Sequence, residues 1–148
     1  MIIALDTDVM VHWAVRGARH HRRVRGWIDE RLDADERFGL TQQVAFELLH
    51  VVTDGRRFEE PLEMGAAVDF VRRLWTSREV VRIPARVDVV PRLCELIEHH
   101  GLGRKRILDT ALAATLEAAG VRTLATCNAR HYRSFGFLEV IDPTGGRA

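Results

Sequence analysis

Short apolar runs that stop on a polar residue alternate along this chain with longer segments whose apolar residues recur every three to four positions. That alternation constrains the fold more than any other feature. Ile2 to Leu5 is an apolar run closed at once by Asp6, as in a buried strand. Ile107 to Ala119 is the clearest helix, with Leu108, Leu112 and Leu116 at one-turn spacing and Gly120 as its stop. Val121 to Ala125 then predicts a strand, and Leu138 to Ile141 another. Between these lie a first helical turn or two over Val9 to Val15, a helix over His20 to Leu32 and a brief strand at Phe38-Gly39-Leu40. Thr41 is placed to cap a helix running to about Thr53, which Asp54-Gly55 closes. A helix beginning near Pro61 carries Leu62, Ala66, Phe70 and Leu74 as its apolar stripe. A strand over Glu79 to Ile83 ends at Pro84, and a helix over Val89 to His99 stops at Gly101. Strands alternating with helices predict an α/β domain whose central sheet is mainly parallel and flanked by helices. Ligands of such sheets sit at the carboxyl ends of the strands. Asp6 and the Thr126-Cys127-Asn128 segment fall there.

Size and composition narrow the classes. At 148 residues there is room for one domain, expected over residues 1–142 with a short tail over 143–148. Hydrophobic residues at 47% and charged residues at 29% suit a globular chain with enough apolar surface to fold. No apolar run approaches the roughly 18 residues of a membrane span. The opening Met1-Ile2-Ile3-Ala4-Leu5-Asp6 lacks a basic leader, so a secretory signal is not expected. Cys94 and Cys127 make no disulfide framework, and a cytoplasmic setting is the expectation. The net charge of +1 excludes a strongly basic coat but allows a local basic patch. Of the 22 basic residues only Lys105 is lysine, and arginine forks suit phosphates.

Four segments carry candidate chemistry, and each has a plain structural alternative. Asp6 and Asp8 follow a strand, where an acid serves either as a helix cap or as a ligand for a hard cation. Gln43, Glu47, His50 and Asp54 form a narrow polar strip on one helix, which alone reads as a solvent face. Asp109 lies at a helix start, where it complements the dipole, but the alanines around it imply close packing against a crevice. Thr126, Cys127 and Asn128 are either turn residues or groups that hold water or phosphate.

In this order the segments resemble the PIN-domain ribonucleases and, among them, the VapC-like toxins of type II toxin–antitoxin pairs. The matching residues are Ile3-Ala4-Leu5-Asp6-Thr7-Asp8-Val9, Phe46-Glu47-Leu48, Ile107 to Ala114 with Gly120, and Leu124 to Tyr132. The likeness covers nearly the whole chain. Its departures are Asp8 where asparagine is usual, Asn128 where a fourth acid is common, and Tyr132 in place of phenylalanine. The resemblance implies a Mg²⁺- or Mn²⁺-dependent endoribonuclease in which Asp6, Glu47 and Asp109 hold the metal. Asn128 would complete the catalytic set by orienting water or phosphate. Thr126, Lys105 and Arg106 are the expected substrate contacts. It also implies hydrolysis to a 5′-phosphate and a 3′-hydroxyl, an RNA substrate such as tRNA or rRNA, a cognate antitoxin and a homodimer. The apolar stripe from Leu62 to Leu74, with Val9, Trp13 and Trp27, offers surface for such contacts. The run from Arg16 to Arg25, with His20 and His21, is either an RNA-facing patch or a solvated helix face. His20 and His21 make no metal pair, because adjacent helical residues point about 100° apart. Two other classes compete: a catalytically weak PIN-like module that holds RNA or protein without cutting, and a haloacid-dehalogenase-type phosphatase suggested by Asp6-Thr7-Asp8. The second lacks an upstream lysine and a final acidic pair.

Overall fold

A computed structural model describes residues 1–145. Of the expected tail, residues 146–148 lie outside the described residues. Five strands form one sheet: β1 (Ile2–Leu5), β2 (Arg37–Thr41), β3 (Val80–Ile83), β4 (Thr123–Ala125) and β5 (Glu139–Ile141). Their order is β3-β2-β1-β4-β5, and every neighbouring pair is parallel. The expected architecture is therefore met, with the sheet parallel throughout. The central strands β1, β2 and β4 are mainly buried, as strands covered by helices must be, while the edge strands β3 and β5 are partly exposed. Gly39 is required inside β2, because a Cβ there would meet Ile83 Cδ1 at 2.8 Å and Ile2 Cγ2 at 3.2 Å.

The helices are α1 (Thr7–Ala14), α2 (His21–Asp33), α3 (Gln42–Val52), α4 (Met64–Thr76), α5 (Val89–His100), α6 (Ile107–Ala118) and α7 (Ala129–Arg133). Asp6 caps α1, and Thr41 Oγ1 accepts the Val44 N–H at 3.2 Å as a cap for α3. Gly101 ends α5 in the left-handed region at φ 59°. From the central strand β1 the chain builds outward through β2 to β3. It then returns to β4 on the other side of β1. The crevice at this reversal is where a parallel sheet opens to ligands, and Asp6 and Thr126 flank it.

Several sequence expectations shift. Helix α4 starts at Met64, three residues past Pro61, and turns Ala67 and Leu74 inward while Ala66 is exposed. Leu112 and Leu116 enter the core, but Leu108 is 57% exposed because the first turn of α6 projects beyond it. The short helix α7 and a 3₁₀ turn over Arg104–Arg106 carry no periodic apolar signal and were not anticipated. Val9 is buried, Trp13 packs edge-on against Phe70, and Trp27 lies against Phe38. These side chains pack against the core instead of forming a free surface. No described helix is long and apolar enough to cross a membrane.

Candidate active site

The carboxyl ends of β1 and β4, the first turns of α1 and α6 and the middle of α3 bring four acids to one cleft of about 360 Å³. Asp6, Asp8, Glu47 and Asp109 line it with Thr7, Val11, His12, Val51, Arg57, Phe58 and Asn128. A depression of equal volume between α3 and α4 is walled mainly by Ala45, Phe46, Leu49, Val71 and Trp75 and contains no acid. Its charge and oxygen donors make the acidic cleft the candidate site.

Asp6 is the most enclosed acid. Its Oδ1 accepts the Thr7 N–H at 2.7 Å, and its Oδ2 accepts hydroxyl protons from Thr126 at 2.8 Å and Tyr132 at 3.0 Å. Burial raises its pKa and the Asp109 charge adds to the rise, against the opposing pull of the three hydrogen bonds. Asp6 thus caps α1 and faces the cleft at once, so the cap reading holds and does not exclude a role in the cleft. Asp8, in the first turn of α1, has its pKa pushed up to about 7, first by burial and then by the charge of Asp6. It accepts the Cys127 N–H at 3.1 Å and the Asn128 Nδ2–H at 3.1 Å. Thr126 is fully buried, and its hydroxyl also accepts the Asn128 N–H at 3.0 Å.

The other two acids sit on helices. Glu47 Oε1 accepts from Gln43 Nε2 at 2.7 Å, and Oε2 accepts the Thr7 hydroxyl proton at 3.3 Å. Gln43 Nε2 also donates to the Leu108 carbonyl at 3.0 Å, which ties α3 to the start of α6. Asp109 lies 2.7 Å from His131 Nδ1 and 3.6 Å from Arg106 Nε. The Tyr132 hydroxyl stands 3.5 Å from its Oδ1.

The structure thus brings Asp6, Glu47, Asp109 and Asn128 together along one cleft. It does not bring Lys105, Arg106 or Thr126 to that wall. Lys105 is exposed on the 3₁₀ turn. Arg106 points inward, pairs with Asp109, donates to the His131 carbonyl and lies over the Phe135 ring at 5.9 Å. Thr126 is enclosed behind the acids and works through its hydroxyl hydrogen bonds. His50 is exposed, and Asp54 accepts the Arg56 N–H, so only Gln43 and Glu47 of the polar strip serve the cleft. Burial and the charges of Asp8, Asp142 and Asp6 push the Cys127 thiol pKa up, which leaves it protonated and a poor nucleophile.

Sequence reasoning missed Gln43, His131 and Tyr132 as partners of the acids. Gln43 was legible, one helical turn before Glu47. His131 and Tyr132 were not, because α7 gives no periodic signal.

The donor set is all oxygen, the chemistry of a hard divalent cation. Among the described residues the ion pairs of the site belong to Asp109, so Asp6, Asp8 and Glu47 present charge without a basic partner. No three His, Cys, Asp or Glu side chains of the described residues are gathered into a ready-made metal group. The four acids line the cleft walls instead of closing on one point, and their residue types fit Mg²⁺ or Mn²⁺.

Comparisons with known proteins place the family and the fold. The PIN domain pattern matches residues 3–136. Ribonuclease VapC33 of Mycobacterium tuberculosis is 26% identical over 117 residues, covering 76% of this chain and 79% of that protein. Among solved structures, VapC20 of Mycobacterium tuberculosis, described as a Sarcin-Ricin loop cleaving toxin, superposes with a TM-score of 0.67 at 18% identity. The match covers 95% of this chain and 98% of that one. VapBC2 from Rickettsia felis, bound to a DNA fragment from their promoter, gives a TM-score of 0.65 at 18% identity over 95% and 98% of the two chains. The chain belongs to the PIN-domain family. Its similar relatives are the VapC-like members, as the sequence resemblance implied. The phosphatase alternative falls with that membership.

Proposed function

We propose that this chain is a Mg²⁺- or Mn²⁺-dependent endoribonuclease that acts in the cytoplasm as the toxin of a type II toxin–antitoxin pair. The observation that carries the reading is the convergence of Asp6, Asp8, Glu47 and Asp109, distant in sequence, on one cleft at the carboxyl edge of the sheet. Asp6, Glu47 and Asp109 are the residues that would hold the cation. When bound, it supplies Lewis-acid stabilisation of phosphate charge and a more acidic water. The chain's own groups fix the acids. Thr126 and Tyr132 hold Asp6, Gln43 holds Glu47, and His131 holds Asp109. Asn128 gives one amide N–H to Asp8, which leaves its carbonyl oxygen to accept from water and its second N–H to donate to phosphate. Hydrolysis leaves a 5′-phosphate and a 3′-hydroxyl on RNA, with tRNA and rRNA as the expected classes. The functional domain is residues 1–142.

A homodimer and a cognate antitoxin complete the reading. Phe46 at 67% exposure, Leu108 at 57% and Ile107 at 42% offer apolar contact area on α3 and α6. The decisive experiment is expression without an antitoxin, together with RNA cleavage by the purified chain in Mn²⁺ and in EDTA. Growth arrest and Mn²⁺-dependent cleavage are expected, and Asp6→Ala or Asp109→Ala abolishes both. A folded Asp6→Ala or Asp109→Ala protein that still cuts removes that residue from the site. RNA binding without cleavage in Mn²⁺ returns the chain to a holding module.

A further inference from the structure

An acidic cleft that takes RNA needs a positive group on its wall, since four carboxylates repel a phosphodiester. The two cations nominated by sequence do not supply it. Lys105 is exposed away from the lining, and Arg106 is committed to Asp109 and the His131 carbonyl. Among the described residues lining the cleft, Arg57 alone carries a guanidinium. It stands just past α3, with its side chain 61% exposed. Its ion pair with Asp54 is long, at 3.8 Å, and Arg56 shares that carboxylate at 3.3 Å. The fork is therefore available to a ligand.

Two neighbours give that wall a nucleotide's chemistry. Phe58 is half-buried and packs on the core, yet it lines both the cleft and an adjoining cavity of about 810 Å³. His12 accepts the His20 N–H at Nδ1, at 3.4 Å, which puts the ring proton of the neutral imidazole on Nε2. Burial and the nearby His20 lower its pKa and keep it in that neutral form. The adjoining cavity shares Arg57 and Phe58 and adds Arg16. Glu59 and Glu60 also line it, which confines its attraction for phosphate to the two arginines.

We propose that Arg57, Phe58 and His12 form a nucleotide-binding subsite beside the scissile phosphodiester. Arg57 takes an RNA phosphate, Phe58 stacks a base, and His12 Nε2–H donates to the base or ribose. Guanidinium forks suit phosphate oxygens, and single-stranded RNA is held by stacking unpaired bases on aromatic rings. The subsite rests on the ribonuclease reading of the cleft. From it the strand runs toward Arg16, so this wall sets which nucleotide lies next to the cut.

The test uses the full chain and a fluorescein-labelled single-stranded RNA oligonucleotide. Binding is followed by anisotropy in EDTA, where no cut occurs, and cleavage is followed in Mn²⁺. Arg57→Ala and Phe58→Leu should each weaken binding about tenfold, whereas Phe58→Tyr keeps the ring and binds as wild type does. Arg57→Ala should also reduce the slope of log affinity against log salt by about 0.7. In cleavage both variants should raise KM with little change in kcat. Arg122→Ala, exposed at the amino edge of the sheet and away from the cleft, is the control and should change nothing. Wild-type affinity in Arg57→Ala and Phe58→Leu, with cleavage intact, overturns the subsite and leaves the ribonuclease reading standing. Variants that bind RNA normally but lose a co-expressed partner protein overturn it in favour of a protein-docking wall. A wild-type chain that neither binds nor cuts RNA overturns both.

Discussion

Asp8→Asn should stabilise the cation-free protein, and by an amount that grows with pH. In the fold this carboxyl titrates near 7 against a reference of 3.8, chiefly because it is buried and next because Asp6 faces it. An acid whose folded pKa exceeds its unfolded one holds its proton more tightly when folded. Its contribution to stability is therefore fully present below about pH 4 and is lost as pH rises toward about 7. At 1.36 kcal/mol per unit the full effect is about 4 kcal/mol, and the part that develops between pH 5 and pH 8 is about 2–3 kcal/mol. Asparagine is isosteric and does not titrate. Its carbonyl still accepts the Cys127 N–H, and Asn128 can turn its amide to match. Thermal melts in EDTA from pH 5 to pH 8 should show the wild type falling away from Asp8→Asn by roughly 5–10 °C. Parallel curves would refute the account of a desolvated, repelled carboxylate. A mutant that loses ground as pH rises would show that ionised Asp8 stabilises the 126–128 loop more than its burial costs.

Three further outcomes follow from the same geometry. Mn²⁺ at a hundredfold excess over Kd should stabilise the wild type by about 2.7 kcal/mol, and Asp109→Asn should blunt that rise in a thermal-shift titration. His131→Ala removes the 2.7 Å partner of Asp109 and should weaken Mn²⁺ binding about tenfold by calorimetry, while His131→Asn, with an amide near the Nδ1 position, should recover most of it. Gly39→Ala forces a Cβ to 2.8 Å from Ile83 Cδ1 and should cost about 1–3 kcal/mol in a denaturant melt, with the same acid residues still in place.

The strands and long helices were legible because burial imposes its period on sequence. Ile2–Leu5 and Thr123–Ala125 are apolar or small throughout, and Leu112 and Leu116 keep helical spacing. The acids were legible for a related reason, since Asp6 and Asp109 interrupt apolar segments that would otherwise continue. The α4 stripe failed by one residue, because Ala66 and Ala67 are alike in sequence and only packing chooses between them. The placement of Lys105 and Arg106 was not legible either. Proximity to Asp109 suggested a pair of substrate contacts, but the 3₁₀ turn directs Arg106 inward and leaves Lys105 outside. Arg57 and Phe58 lie in a connection without periodicity, so only the fold could place them in the same cleft as the acids.

The partners of the acids leave most of them without a basic group to neutralise them. Asp6 is held by hydroxyls and a backbone N–H, Asp8 by an amide and a backbone N–H, and Glu47 by an amide and a hydroxyl. Each of these donors fixes a carboxylate without neutralising it. An arginine in any of these places would have removed the negative charge that an incoming cation must meet. Asp109 is the exception, and even there Arg106 stands off at 3.6 Å while His131 makes the short contact. The one guanidinium in the cleft lining among the described residues is Arg57, which pairs with Asp54 and not with the four acids. Uncharged donors on the acids and one arginine apart from them leave unneutralised carboxylates and a guanidinium in a single cleft, the combination that the proposed cation and RNA strand would both need.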